Sequence, residues 1–102
     1  MDFPDLRIVM AHVGRPFDCE RAVFVARRHE NVSFDVSSIP PSRLLHYVPD
    51  LERLAKKALY GSDWPAPGVP HLGDNAKAVS GLDLSEEAKQ RILWENAARL
   101  YK

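Results

Sequence analysis

Four polar side chains stand at the ends of three strand-like segments, where a parallel sheet would bring them together. His12 ends the first segment, Asp35 and Ser37 lie on the second, and Asp63 follows the third. Ligands of parallel α/β proteins bind beyond the carboxyl ends of the strands. An imidazole and two carboxyl groups at that edge could transfer protons or bind a metal ion. The spacing therefore predicts one polar site at the carboxyl ends of the strands.

The two-residue period of a strand predicts the direction of each side chain. His12 is expected on the same face of the sheet as Ile8 and Met10. By the same rule, Asp35 is expected on the same face as Ser37. The imidazole and the carboxyl group meet only if these two faces line one cavity.

Each of these residues also has a purely structural interpretation. A histidine at a strand end often makes a hydrogen bond without taking part in chemistry. Asp35 is disfavoured in a strand, and a hydrogen bond to a neighbouring loop would explain its presence. Asp63 lies in the turn-forming run Gly-Ser-Asp-Trp-Pro, where its carboxylate could accept backbone N–H groups. Asp35, Ser37 and Trp64 are candidate substrate-pocket residues, although Trp64 could instead pack in the interior.

Three strands and the helices between them must position these residues. The strands are expected at about 6–13, 32–37 and 57–60, and the first is apolar on both faces, as strands of a helix-covered parallel sheet are. The clearest helix is expected over about 86–100 from its apolar stripe. The alternation β-α-β-α-β-α predicts an α/β fold of three consecutive βα units with parallel strands, in a single domain over 1–102.

The composition narrows the class of partner. The chain has 102 residues, with 14 basic and 14 acidic side chains. This balance argues against nucleic acid or an anionic membrane as the main partner, because both require an excess of positive charge. One cysteine, Cys19, excludes an internal disulfide, and the N-terminal residues do not resemble a signal peptide. We therefore expect a cytoplasmic protein.

Four stretches carry a family resemblance, in order along nearly the whole chain. They are IVMAHVG at 8–14 followed by Pro16-Phe17, NVSFDVS at 31–37, LYGSDWP at 59–65, and Ile92-Leu93 with NAARL at 96–100. These stretches resemble the amidohydrolase-related family, the metal-dependent group that includes aminocarboxymuconate-semialdehyde decarboxylase and similar hydrolases and decarboxylases. Each match alone is modest, whereas the four together are specific.

The resemblance implies a TIM (β/α)₈ barrel, of which this chain would be the last three βα units. The family histidine that matches His12 ends the sixth strand and lies beside the metal-bound water and the substrate. The aspartate that matches Asp63 ends the eighth strand, binds the metal, typically zinc, and acts as a general base. The resemblance therefore implies catalytic roles for Asp63 and His12 and a metal-ligand role for Asp63.

The chain also departs from the family pattern. The first-strand HxH metal pair and the fifth-strand histidine of the family have no counterpart in it, and Arg15 stands where a second glycine is common. Because a catalytic zinc normally has three protein ligands, a divalent metal is expected only if another chain supplies the missing ligands. That partner would be a second copy in a homo-oligomer or a chain carrying the missing strands. The alternative is a non-catalytic truncated α/β module that self-associates or binds a partner.

Overall fold

A three-stranded parallel sheet forms the centre of the structure, a computed structural model that describes residue 3, residues 5–62 and residues 73–101. The strands in this part of the chain are β1 (Ile8–Met10), β2 (Val32–Asp35) and β3 (Ala58–Leu59). They lie in the order β1-β2-β3, and both neighbouring pairs are parallel. The sheet confirms the α/β fold with parallel strands.

Helices connect the strands and follow the last of them. They are α1 (Cys19–Arg28), α2 (Pro41–Tyr47), α3 (Asp74–Ser80), α4 (Glu86–Gln90) and α5 (Asn96–Leu100), with a π-helical turn (Arg91–Glu95) between α4 and α5. The last three segments run without interruption over the span 86–100. Among the described residues, none of these helices has the length and apolarity that a membrane crossing requires.

One face of the sheet packs against the helices and forms the hydrophobic core. Val32, Phe34 and Val36 of the central strand and its extension are at most 4% exposed and lie in this core. Ala26 of α1 and Leu44 of α2 are equally buried against them. Burial of a valine or phenylalanine side chain stabilises a fold by about 1.5–3 kcal/mol. The central strand is therefore held firmly from its helix-covered face.

The opposite face of the central strand is polar. Successive side chains of a strand point to opposite faces, so Ser33 and Asp35 lie away from Phe34 and the helices. The register places Ser33 beside Val9 of β1 and Asp35 beside Leu59 of β3. Asp35 thus stands at the carboxyl end of the sheet, on the face opposite Phe34.

The first strand ends at Met10, short of the expected end at residue 13, because the backbone enters the left-handed region of φ and ψ at residue 12. His12, Val13 and Gly14 have φ values of +57°, +45° and +74°. Such values are rare for a residue other than glycine, and rarest for a β-branched one such as Val13. The side chain of Val13 is fully buried in the core. Its burial offsets part of the conformational cost of the left-handed turn over residues 12–14.

Gly14 is required in this turn for two reasons. Its φ of +74° is a conformation that L side chains rarely adopt. A β-carbon on Gly14 would also lie 3.2 Å from Cβ of Ala22 and 3.3 Å from Cβ of Asp18. The turn itself is closed by the Arg15 N–H, which donates to the His12 carbonyl at 2.9 Å. The glycine therefore lets α1 begin directly against the end of β1.

The other two strands are also shorter than expected, for different reasons. β2 ends at Asp35 because the N–H of Ser37 turns back to the Asp35 side chain instead of continuing along the strand. β3 ends at Leu59 because the N–H of Tyr60 donates to the carbonyl of Ile92 at 2.9 Å. Polar contacts at the end of each strand thus replace further strand pairing.

The C-terminal helical segment is fastened to the last strand by a buried amide. Asn96 is 1% exposed, and its Nδ2 donates to the carbonyl oxygens of Ala55 and Ala58, the latter at 2.7 Å. Together with the bond from Tyr60 to Ile92, these contacts join β3 to the helix that follows it in the sequence. Asn96 therefore fixes the position of the strand that leads to residue 63.

We expect Asn96→Ala to lower the free energy of unfolding by about 2 kcal/mol, because two buried carbonyl oxygens lose their donor. Asn75→Ala, which changes a half-buried asparagine of α3, is the matched control and should change stability by less than about 0.5 kcal/mol. Urea unfolding followed by circular dichroism measures both values. Equal losses in the two variants would contradict the anchoring role of Asn96.

We expect Gly14→Ala to lower the free energy of unfolding by about 2 kcal/mol, because a β-carbon is disfavoured at positive φ and crowds α1. A β-carbon added to Gly73 would have no heavy atom within 4 Å, and the φ of Gly73 is −91°, so Gly73→Ala is the control. Thermal and urea unfolding of the two variants make the comparison. A Gly14→Ala protein as stable as wild type would show that the turn over residues 12–14 has another conformation.

Candidate active site

Two strand ends meet in a hydrogen-bonded cluster of three side chains, His12, Asp35 and Ser37. Nδ1 of His12 lies 2.9 Å from the carbonyl oxygen of Ser37 and 2.9 Å from its Oγ. Oγ of Ser37 donates to Oδ1 of Asp35 at 2.6 Å. The structure thus brings together three of the side chains that the sequence places at the carboxyl ends of the strands.

Asp35 also binds backbone groups on both strand ends. Its Oδ1 accepts the N–H of His12 at 3.0 Å and the N–H of Ser37 at 3.1 Å. The bond to His12 joins β2 to the loop after β1, which explains why an aspartate occupies a strand position that disfavours it. Asp35 therefore holds the backbone of the turn over residues 12–14 and contacts the imidazole only through Ser37.

The predicted direction of the His12 side chain is wrong, and the left-handed turn is the reason. The strand period would place His12 with Ile8 and Met10, and both of these pack against the helix-covered core. Because the backbone leaves the extended conformation after Met10, the two-residue period no longer applies to His12. The imidazole instead meets Asp35 and Ser37, which belong to the opposite face of the sheet.

The imidazole is accessible, and its carboxylate neighbour is less so. The side chain of His12 is 39% exposed and that of Asp35 is 27% exposed. Nδ1 of His12 and Oδ1 of Asp35 are 3.8 Å apart, which is too long for a direct hydrogen bond. Ser37 therefore lies between the two groups as a hydrogen-bonding intermediary.

A second contact from the loop after β1 reaches the loop after β2. Nη1 of Arg15 donates to the carbonyl oxygen of Ser38 at 2.9 Å, and its guanidinium carbon lies 5.6 Å from the centre of the Tyr47 ring. Ser38 itself has a φ of +60°. Arg15, the position that departs from the family pattern, thus joins the same two loops as His12 and places a positive charge near them.

The third strand leaves the sheet beside Ser37. A β-carbon on Gly61 would lie 3.1 Å from Cβ of Ser37 and 3.8 Å from its Oγ, so only glycine fits there without displacement of the serine. The segment that leads from β3 toward residue 63 therefore starts in contact with the His12, Asp35 and Ser37 cluster.

Two predicted site residues, Asp63 and Trp64, lie outside the described residues. Within residues 5–62 and 73–101, no group of three histidine, cysteine, aspartate or glutamate side chains is arranged to hold a metal ion. His12 is the candidate ligand or proton acceptor that this part of the structure places at the strand ends. Burial raises the pKa of Cys19, which agrees with its interpretation as a small buried residue.

Two residues of the site carried no clear signal in the sequence. Arg15 contacts the loop after β2 through a hydrogen bond across the sheet edge, and local sequence cannot predict such a contact. Gly61 was interpretable only as a bend, whereas the structure shows that it makes room for Ser37. A glycine directly after a strand is the one signal that points to such close packing.

Comparisons with known proteins agree with this architecture. A solved structure described as an uncharacterized TIM-barrel protein from Bordetella bronchiseptica superposes with a TM-score of 0.78 at 26% sequence identity. The match covers 98% of this chain and 35% of the barrel chain, so this chain spans about a third of the barrel protein's length. None of the curated proteins matches the sequence. A family model described as amidohydrolase matches residues 1–102, and the chain therefore belongs to the amidohydrolase family.

Proposed function

We propose that this chain forms the C-terminal part of a metal-dependent hydrolase or decarboxylase, similar to aminocarboxymuconate-semialdehyde decarboxylase. Asp63 acts as a metal ligand and general base, and His12 lies beside the attacking water and the substrate. The observation that carries the proposal is the His12 imidazole, which is partly exposed at the carboxyl ends of the strands and bound through one nitrogen only among the described residues.

The position of His12 suits a residue that touches substrate or water. Active sites of TIM barrels lie at the carboxyl ends of the strands, where His12 and Ser37 are found. A histidine that binds a backbone carbonyl through Nδ1 keeps Nε2 for a ligand, which is the usual arrangement of functional histidines. The rigid strand β2 stabilises this arrangement through Asp35.

The end of the third strand supports the role of Asp63. Gly61 lies against Ser37, and two residues of chain span at most about 7 Å. The role proposed for Asp63 therefore requires only two residues of chain beyond a position that lies against the cluster. The side chain of aspartate can bind a divalent metal and accept a proton, as the proposed roles require.

The candidate residues of this chain would fit only part of a metal site. Members of the amidohydrolase family are generally metal-dependent, and a bound zinc ion lowers the pKa of a water ligand. Three protein ligands are normal for a catalytic zinc, whereas the proposed roles give this chain one ligand, Asp63, and a histidine, His12, beside the water. What the chain itself does is to orient one imidazole and supply one carboxylate.

The remaining ligands would come from the strands that this chain lacks relative to the barrel. The match to 35% of the Bordetella bronchiseptica barrel supports this division, because the other strands of that barrel have no counterpart here. We propose that a polypeptide carrying those strands, either separate or continuous with this one, completes the site.

A second candidate function is that of a non-catalytic module that self-associates. The observation in its favour is exposed apolar surface: Leu6, which precedes the edge strand β1, is 55% exposed, and Phe24 of α1 is 63% exposed. Edge strands with apolar surface beside them invite association. A homo-oligomer would cover this surface without forming a metal site.

For the catalytic proposal, calorimetric titration with Zn²⁺ and Mn²⁺ measures metal binding. The sample is the full chain as a homo-oligomer or together with the polypeptide that carries the missing strands. We expect one metal per site with a dissociation constant on the order of micromolar or tighter, weakened at least about 100-fold by Asp63→Ala. Asp83→Ala, which removes an exposed carboxylate elsewhere, is the control and should bind as wild type does. Absence of binding, or equal binding by Asp63→Ala, would rule out the proposed role of Asp63.

For self-association, sedimentation velocity distinguishes a monomer from larger species. We expect Phe24→Glu to shift the protein to a slower-sedimenting species, because it places a charge on the apolar surface. Arg28→Ala makes the same change in net charge on the same helix without loss of apolar surface, and should sediment as wild type does. A wild-type monomer at all concentrations would exclude this second function.

A further inference from the structure

We propose that Asp35 is a positioning residue that locks the His12 imidazole in the tautomer with its proton on Nδ1. Asp35 acts through the hydroxyl and backbone of Ser37 and through the backbone of His12. In this tautomer Nε2 of His12 carries a lone pair and accepts a hydrogen bond, a proton or a metal.

The tautomer follows from which atoms can donate. A carbonyl oxygen only accepts, so the contact of 2.9 Å between Nδ1 of His12 and the Ser37 carbonyl requires a proton on Nδ1. The second contact of Nδ1, to Oγ of Ser37, agrees with this assignment. The Ser37 hydroxyl donates a hydrogen bond to the Asp35 carboxylate at 2.6 Å. The lone pairs of the Ser37 oxygen can therefore accept the hydrogen bond from Nδ1 of His12.

The Asp35 carboxylate fixes both partners of that contact. Its Oδ1 accepts the N–H of His12, which holds the histidine backbone at a φ of +57°. The same oxygen accepts the N–H and the O–H of Ser37, which hold the serine carbonyl in place. One oxygen atom thus positions both the backbone that carries the imidazole of His12 and the Ser37 carbonyl that accepts its hydrogen bond.

A direct ion pair between His12 and Asp35 is the competing explanation. Nδ1 and Oδ1 are 3.8 Å apart, whereas the two steps through Ser37 measure 2.9 Å and 2.6 Å. Hydrogen bonds weaken steeply beyond about 3.2 Å, so the path through Ser37 is the stronger one. Asp35 therefore acts as an acceptor that orients neighbouring groups and does not share a proton with the imidazole.

The consequence for chemistry rests on the proposed function. If water or substrate reacts at this strand edge, neutral His12 accepts a proton or hydrogen bond at Nε2 and does not donate one there. The tautomer itself does not depend on any metal. Failure of the calorimetric experiment would therefore remove the proposed function and leave the role of Asp35 to be decided separately.

Nitrogen-15 NMR of the full chain, with labelled histidine, measures the tautomer directly, because protonated and unprotonated ring nitrogens resonate far apart. The spectra are recorded at a pH of about 8, above the ordinary titration range of histidine. We expect wild-type His12 to show a single tautomer with protonated Nδ1. The imidazole of His46 is exposed, and we expect it to average between tautomers, so it is the internal reference.

Two substitutions separate the acceptor from its charge. Asp35→Asn keeps an oxygen acceptor in place of Oδ1 but removes the charge, and we expect it to retain the wild-type His12 spectrum. Asp35→Ala removes the acceptor, and we expect the single-tautomer signal to be lost to averaging, whereas Asp83→Ala leaves it unchanged. The amide of His12 should also exchange faster with solvent in Asp35→Ala than in Asp35→Asn.

Several results would overturn the proposal. Protonated Nε2 or an averaged spectrum in wild-type His12 would contradict it, and this result does not depend on any variant folding. The same His12 tautomer in folded Asp35→Ala as in wild type would show that Asp35 does not set it. Loss of the single tautomer in folded Asp35→Asn would show that an oxygen acceptor alone is insufficient.

Discussion

A single carboxylate oxygen on the central strand holds the ends of two strands together. Oδ1 of Asp35 accepts three hydrogen bonds, one from the loop after β1 and two from Ser37 in the loop after β2. Bonds of this kind to a charged acceptor are shorter and stronger than those between neutral groups. The left-handed turn that carries His12, the end of β2 and the direction of the imidazole all depend on this oxygen.

The core on the other face of the sheet makes that arrangement rigid. Phe34 and Val36, the neighbours of Asp35 in the sequence, are buried against the helices and cannot move without opening the core. Asp35 is carried by a strand, which holds a site residue more firmly than a loop does. The TIM-barrel neighbour agrees with the parallel sheet whose carboxyl ends carry this cluster.

Sequence periodicity could predict the three strands but not the backbone conformation of the turns that follow them. The apolar runs and their alternation were sufficient for three parallel strands, and the low strand propensity of Asp35 pointed to a loop contact. The direction of His12 was not predictable, because Val13 gives no local sign of a positive φ and strand periodicity assumes an extended backbone. The amide of Asn96 was equally hidden, since its partners at Ala55 and Ala58 are 41 and 38 residues away in the sequence.

The bonds from β3 to the helix after it also bear on how the chain folds as it is synthesised. β1 and β2 pair with each other and pack against α1, all within the first 36 residues. β3 pairs with β2, but its polar anchors are Ile92 and Asn96. Since N-terminal elements emerge from the ribosome first, the first two strands can assemble early. The third strand gains its anchors only when the helical segment over 86–100 has been made. The carboxyl end of the sheet, where His12, Asp35 and Ser37 lie, is therefore completed late.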